Sequence, residues 1–235
     1  MLELDGVTFA YGGNKVIDGL SATVARGDLL GVIGPNGAGK STLFHLIGGA
    51  VAPASGSIRL EGRRLNGLRS WDRSRSGIGR TYQVPHPFRA MSVYENVLVA
   101  ATHAGGISIP AARVRVSDVL AMTGLIRVAG RLAGELSLLD LKRLELAKAL
   151  AQQPKLLLLD EIAGGLTDAE CEVLLEIVRS VWKDGVTVIW IEHVLHALKS
   201  VATRMAVLYS GKFIIDGDPA HVLASDKVRE IYLGT

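Results

Sequence analysis

The sequence lacks a long apolar run: uninterrupted stretches such as Leu156–Leu159 and Val188–Ile191 are short. A membrane-spanning helix needs about 20 consecutive apolar residues, so no segment is expected to cross a bilayer. Cysteine is almost absent. With Cys171 alone, neither an intrachain disulfide nor a cysteine-based zinc site can be built, which suits a reducing cytoplasm. The opening residues MLELDGVTFA hold acids but neither a basic leader nor a small-residue cleavage site, and are not expected to be a signal peptide. Excess charge is slight too: a net charge of +3 is too small to imply nucleic acid as a partner. Arg63, Arg64, Arg69, Arg73, Arg75 and Arg80 form a local basic stretch with Glu61 and Asp72 beside and within it. A solvated face is the expectation for it, with a lie against anionic headgroups or a partner as the alternative.

What is present is an ordinary globular balance, 49% hydrophobic and 21% charged over 235 residues, enough for one large domain or a domain with a subdomain. LELDGVTFAY alternates as a strand, IDGLSATVARG follows it, and DLLGVIG is an apolar run ending in glycine. TLFHLIGG reads as a helix. From Ser92 the composition turns helical. Ser92 and Glu95 have capping-box spacing, which predicts a helix through Tyr94, Val97, Leu98 and Ala101. Residues 110–152 keep helical spacing, and Gly105–Pro110 is the expected loose loop. LLLLD and VTVIWIE then read as buried strands, separated by a helix that Thr167 and Glu170 would cap. The predicted fold class is α/β, with an antiparallel β portion at the N-terminus. Residues 1–83 and 153–235 would form the core and 84–152 a helical subdomain.

GPNGAGKS at residues 34–41 fits G-x-x-x-x-G-K-[ST], after an apolar strand and before a helix. Gly34, Gly37 and Gly39, with Pro35, Asn36 and Ala38 between them, would let backbone N–H groups converge on phosphate oxygens. The helix N-terminus, entered through Lys40, Ser41 and Thr42, adds positive partial charge. Lys40 can reach the β- and γ-phosphates of ATP and the Ser41 hydroxyl can ligate Mg2+. A glycine-rich turn that happens to match is the alternative, and the strand-loop-helix context weighs against it.

KLLLLDE at residues 155–161 complements the loop, since a strand ending in Asp160 would set a carboxylate beside the metal and Glu161 could polarise the attacking water. On its own, an Asp-Glu pair ending a strand is more often a polar loop start. His193 follows VTVIWIE directly and could bond the γ-phosphate or orient Glu161; a capping or partly buried histidine is the bland alternative. His196 reads as that bland kind.

With these pieces in order, the chain resembles the ABC ATPase family over nearly its whole length. The resemblance implies a P-loop NTPase core of ABC type with an inserted helical subdomain. Tyr11, in FAYGGNKVIDGLS, falls where the family stacks an aromatic on adenine. Gln83, in GRTYQ, matches the glutamine that senses nucleotide and metal, and bridges to membrane subunits. Leu136–Ser137 followed by LKRLELAKALAQQPKLLLLDE matches the signature helix, so Ser137 would face a nucleotide; His193 matches the switch histidine. GIGRTYQVPHPFRAMSVYENVLVA, WIEHVLHAL and DGDPAHVLASDKVREIYLG resemble the subfamily that energises branched-chain amino-acid uptake. That resemblance implies two membrane-spanning permease subunits, a second ABC ATPase subunit, an extracytoplasmic substrate-binding protein, and a peripheral place on the cytoplasmic face of the cell membrane. Lipopolysaccharide-type exporter ATPases and soluble ABC ATPases of repair or translation are the alternatives.

Two departures stand out. The family signature has the form LSGGQ or LSYGQ, whereas this chain reads LSLLD, with Leu139 for a glycine and Asp140 for the glutamine. The leucine would obstruct a γ-phosphate and the aspartate would repel it. AGGLT ends in Thr167 where the family often has Asp or Asn. Family geometry pairs two ATPase domains head to tail, so a weak signature would compromise the partner's nucleotide and leave this chain's own cradle competent. A local rearrangement that keeps the Ser137 hydroxyl and the helix N-terminus in place is the other expectation.

Overall fold

The computed structural model describes residues 1–233, and the chain falls into two compact units: Met1–Arg73 with the residues from Thr187 onward, and Ser74–Val186. Gly234 and Thr235, part of the 153–235 segment, lie outside the described residues.

The first unit opens with β1 (Leu2–Tyr11) running antiparallel to β2 (Asn14–Val24), from Leu2 opposite Val24 to Tyr11 opposite Asn14. Gly12–Gly13 makes the short turn that such a hairpin needs. Leu2, Leu4 and Val7 are buried while Glu3 and Asp5 face out, which gives β1 the alternation read in the sequence. β3 (Leu29–Ile33) is buried at every position and leads through residues 34–39 into α1 (Lys40–Gly48). β4 (Ser55–Leu60) pairs antiparallel with the other edge of β1, and β5 (Arg63–Arg64) pairs with β4.

α2 (Ser70–Arg75) corrects the reading of the basic stretch. Arg73 is 1% exposed, not solvated. Its guanidinium donates to the carbonyls of Leu46 and Ile47 in the last turn of α1, and its Nε donates to Leu68 O at 3.1 Å. Those helix-end carbonyls have no intrahelical donor, and a cation there also complements the helix dipole. Burial pushes the Arg73 pKa below the usual arginine value.

In the second unit, β6 (Ile78–Arg80) runs parallel to β7 (Leu156–Asp160). Between them come α3 (Val93–Val99), a π-helical turn at Ala100–Ala104, α4 (Ile109–Met122) and α5 (Leu138–Ala151). α6 (Asp168–Lys183) follows β7. Ser92 with Glu95, and Thr167 with Glu170, form the expected capping boxes. Along α6, Cys171, Leu174, Leu175, Val178 and Val181 make one buried stripe at helical spacing. The loop expected at Gly105–Pro110 is shorter than predicted. Pro110 lies in the first turn of α4, where its missing N–H has no partner to lose and its fixed φ suits the helix.

The chain then returns to the first unit with β8 (Thr187–Ile191), α7 (Leu195–Val201), β9 (Arg204–Tyr209), β10 (Lys212–Gly217), α8 (Pro219–Ala224) and α9 (Asp226–Leu233). β3 lies between β8 and β9 and is parallel to both; β10 is antiparallel to β9. Parallel strands are joined by crossover helices that cover both faces of the sheet, and β3 and β8 are buried at every position, which accounts for their unbroken apolar runs. Arg204 ties β9 to β10 through a two-pronged bond to Asp216 at 2.6 and 2.6 Å, and that hydrogen bond raises the arginine's pKa. No helix among the described residues is long and apolar enough to cross a membrane.

Candidate active site

The loop at residues 34–39 is built by close approach of main chain. A Cβ at Gly34 would lie 2.2 Å from Leu208 O, so only glycine fits where the loop leaves β3. At Gly39, φ is 103° and a Cβ would meet Val16 O and Ile17 at 2.9 Å. Gly39 is also the N-cap of α1 and brings no capping side chain. The first N–H groups of the helix are therefore not covered by a cap from their own chain end, the arrangement that suits an anion. Lys40 is 8% exposed, and its ammonium donates to Gly34 O at 2.6 Å and to Pro35 O at 3.1 Å. It thus folds over the loop it would share with a phosphate. Asn36, Gly37 and Ser41 are exposed, Pro35 is half-buried, and Ala38 and Thr42 are buried. A loop whose course depends on Gly34 and Gly39, a helix N-terminus and an ammonium together fit a phosphate chain.

Sequence reasoning missed the buttress of this loop. Gly211, in the turn between β9 and β10, donates its N–H to Ala38 O at 3.2 Å and accepts from Asp18 N at 3.2 Å. The signal was the Ser210–Gly211 dipeptide between two strand-like runs, which marks a hairpin but gives no hint of what the turn touches.

The second unit gathers Gln83, Asp160 and Glu161. Gln83 Nε2 donates to Glu161 Oε2 at 2.5 Å, so two residues far apart in sequence meet side chain to side chain. Glu161 has φ 45°, a left-handed conformation uncommon for a residue with a Cβ, and it comes directly after the buried end of β7. Asp160 is 7% exposed and accepts from Arg80 Nη2 at 3.0 Å, while its N–H donates to Thr81 Oγ1 at 3.1 Å. Arg80 therefore departs from the expected solvated face. It sits next to a strand-end carboxylate because β6 pairs in register with β7. Oxygen donors such as Asp160, Ser41 and the Gln83 amide have the hard character that Mg2+ takes.

Ser137 is the N-cap of α5 and its hydroxyl accepts from Asp140 N at 3.2 Å. The helix start thus survives in LSLLD. The Asp140 carboxylate is turned to Arg143 at 3.1 Å, and that pair offsets its charge. Leu138 is 44% exposed, and its Cδ2 lies 3.3 Å from where a Cβ on Gly165 would be. The two segments that depart from the family pattern, LSLLD and AGGLT, therefore approach each other at Leu138 and Gly165.

His193 and Tyr11 belong to the first unit. The His193 side chain is 58% exposed, and its Nδ1 lies 3.6 Å from the Glu192 carboxylate, which is buried and also accepts the N–H groups of His193 and Val194. Tyr11, at the end of β1, is half exposed and packs edge-on against Phe9 with ring centroids 4.8 Å apart.

A phosphate cradle ahead of a helix, in a chain that also carries a buried strand ending in adjacent carboxylates, defines a P-loop ATPase. The ABC transporter family pattern matches residues 17–164, and the chain belongs to that family as an ATP-binding subunit. It is 32% identical to the high-affinity branched-chain amino acid transport ATP-binding protein BraF of Pseudomonas aeruginosa, over 100% of the chain and 98% of BraF. The corresponding protein LivG of Salmonella typhimurium is 33% identical, over 100% of the chain and 98% of LivG. The lipopolysaccharide export system ATP-binding protein LptB of Haemophilus influenzae is 29% identical over 100% of the chain and 97% of LptB. Among solved structures, a nucleotide-free ATP-binding cassette from an ABC transporter superposes with a TM-score of 0.92 at 29% identity, covering 100% of this chain and 99% of that one. An ATP-binding cassette in its ADP conformation gives 0.88 at 28% identity, with 100% and 99% covered.

Proposed function

We propose that this ATPase drives import of branched-chain or other hydrophobic amino acids. In this reading it sits peripherally on the cytoplasmic face of the cell membrane, against two membrane-spanning permease subunits. A second ABC ATPase subunit pairs with it, and an extracytoplasmic substrate-binding protein delivers cargo. The observation that carries the reading is the end-to-end similarity to BraF and LivG at 32% and 33% identity. The similarity to LptB, at 29%, keeps an exporter ATPase as the second reading.

The residue roles follow from the chemistry of each group. The amides of Gly34–Gly39 and the start of α1 hold the phosphates of ATP, with Pro35, Asn36, Ala38 and Thr42 shaping the loop. Lys40 exchanges its carbonyl partners for β- and γ-oxygens, and Tyr11 stacks on adenine. Ser41, Asp160 and Gln83 would hold Mg2+, which would supply positive charge beside the transferred phosphoryl group. Glu161 orients the water and takes its proton, and His193 steadies the γ-phosphate side of that arrangement. Ser137 at the head of α5 faces the nucleotide of the paired ATPase. Residues 1–83 and 153–235 act as the nucleotide core and 84–152 as the helical signature subdomain.

LSLLD makes the two nucleotides of the pair unequal. With Leu138 and Leu139 at the helix start, this chain serves its partner's nucleotide poorly, while its own cradle depends on the partner's signature. A partner with an intact signature then gives one strong and one weak site. Gentle affinity purification of the tagged chain from its native membranes tests the whole reading. Two permeases and a distinct ATPase with an LSGGQ-like signature are expected. Recovery of lipopolysaccharide-export subunits, or of soluble partners alone, overturns import.

A further inference from the structure

The flank of α5 that carries Lys142, Glu145 and Lys148 holds the segment after β6 by its main chain. Lys142 Nζ donates to Gln83 O at 2.6 Å and to Glu161 O at 3.3 Å. Three residues along the helix, Glu145 Oε2 accepts from His86 N at 3.2 Å. Three further, Lys148 Nζ donates to His86 O at 2.8 Å and to the Glu145 carboxylate at 2.9 Å. Lys142 and Glu145 are each 3% exposed, so these are enclosed ionic groups, and both hold backbone partners. An ammonium in such a place is costly unless its donors are used, which fixes its geometry tightly.

We propose that this flank of α5 is a positioning rail: it fixes the Gln83–His86 segment, and through Lys142 the main chain of Glu161, to the signature helix. The proposal rests on the roles given above to Gln83 and Glu161. Lys142 is the joint, because one ammonium spans both main chains whose side chains meet at 2.5 Å. It also bonds the carbonyl of a residue held at φ 45°, where loss of a partner lets the backbone relax. The same flank, through Glu145 and Lys148, fixes the backbone of His86 between the exposed apolar residues Val84 and Phe88.

The test uses the purified transporter complex with Lys142→Met, Lys142→Arg and Glu161→Gln variants. ATP turnover, ADP affinity and hydrogen exchange of peptides covering 82–87 are the readouts. For Lys142→Met, a fall in kcat of roughly 100-fold is expected, the cost of displacing a reacting group by about 1 Å. KM and ADP affinity should stay unchanged, exchange at 82–87 should quicken, and Lys142→Arg should restore most of the turnover. If Glu161→Gln is inactive while Lys142→Met turns over normally, the rail is overturned and the glutamate's role stands. If kcat and ADP affinity fall together and arginine does not rescue, the lysine is merely structural. Full turnover in Glu161→Gln removes the glutamate's role and the joint built on it.

Discussion

At the residue scale, the distances within each unit separate groups that touch backbone from groups left to meet a ligand. Lys40 is buried and donates to Gly34 O and Pro35 O, so replacing it with alanine removes two hydrogen bonds of the loop as well as the cation for phosphate. Lys40→Ala is therefore expected to lower the melting temperature modestly and to lose ATP binding by calorimetry; retained affinity would count against the cradle. Gly34→Ala should behave differently. Its Cβ would lie 2.2 Å from Leu208 O, and such overpacking costs typically about 1–3 kcal/mol, so a lowered melting temperature together with weak nucleotide binding is the expected pair of results. The glycines, Lys40 and the Asp160–Glu161 pair were all legible because their spacing is tied to local geometry. Lys142, Arg80 and Gly211 were not. Each acts on residues that are distant in sequence, and a lone lysine in a helical run or an arginine in a basic stretch looks like a solvated charge.

At the scale of elements, the caps decide where helices begin. The Ser92–Glu95 and Thr167–Glu170 boxes were readable from spacing alone, because each closes within one turn. Both carboxylates sit below their usual value, chiefly through the backbone N–H groups of Ser92 and Thr167. A depressed carboxylate pKa stabilises the fold above the unfolded value of about 4.5, and that contribution is lost as pH falls through the lowered folded value. The melting-temperature gap between the native chain and its Glu170→Gln variant should thus be open at about pH 7 and shrink as pH falls below the unfolded value of about 4.5. A constant gap would refute the linkage. Ser137 caps α5 through its hydroxyl alone, without a reciprocal carboxylate, and Ser137→Ala is expected to lower stability by about 1 kcal/mol in denaturant titration, independent of any nucleotide. The end of the Gly105–Pro110 loop was misread for a physical reason: proline signals both a turn and the first turn of a helix, and sequence pattern does not separate them.

At the scale of the whole molecule, the α/β class, the strands around β3 and the helical run after Ser92 were legible from periodicity, while strand order was not. Which strands lie beside β3 depends on crossovers that no short window contains. The signature departure also acquires its meaning only at this scale. Ser137 still starts α5, so LSLLD is an altered helix head, with Leu138 against Gly165 in place of open glycine backbone. A transporter holding this chain and an intact-signature partner should hydrolyse ATP at unequal rates at its two sites in a single-turnover experiment, and equal rates would contradict the asymmetry. The most direct test of the central claim is ATP turnover by the purified complex carrying Glu161→Gln. The account predicts ATP binding undiminished with turnover reduced by roughly 100-fold or more, the loss of a general base; hydrolysis at the unaltered rate would contradict it.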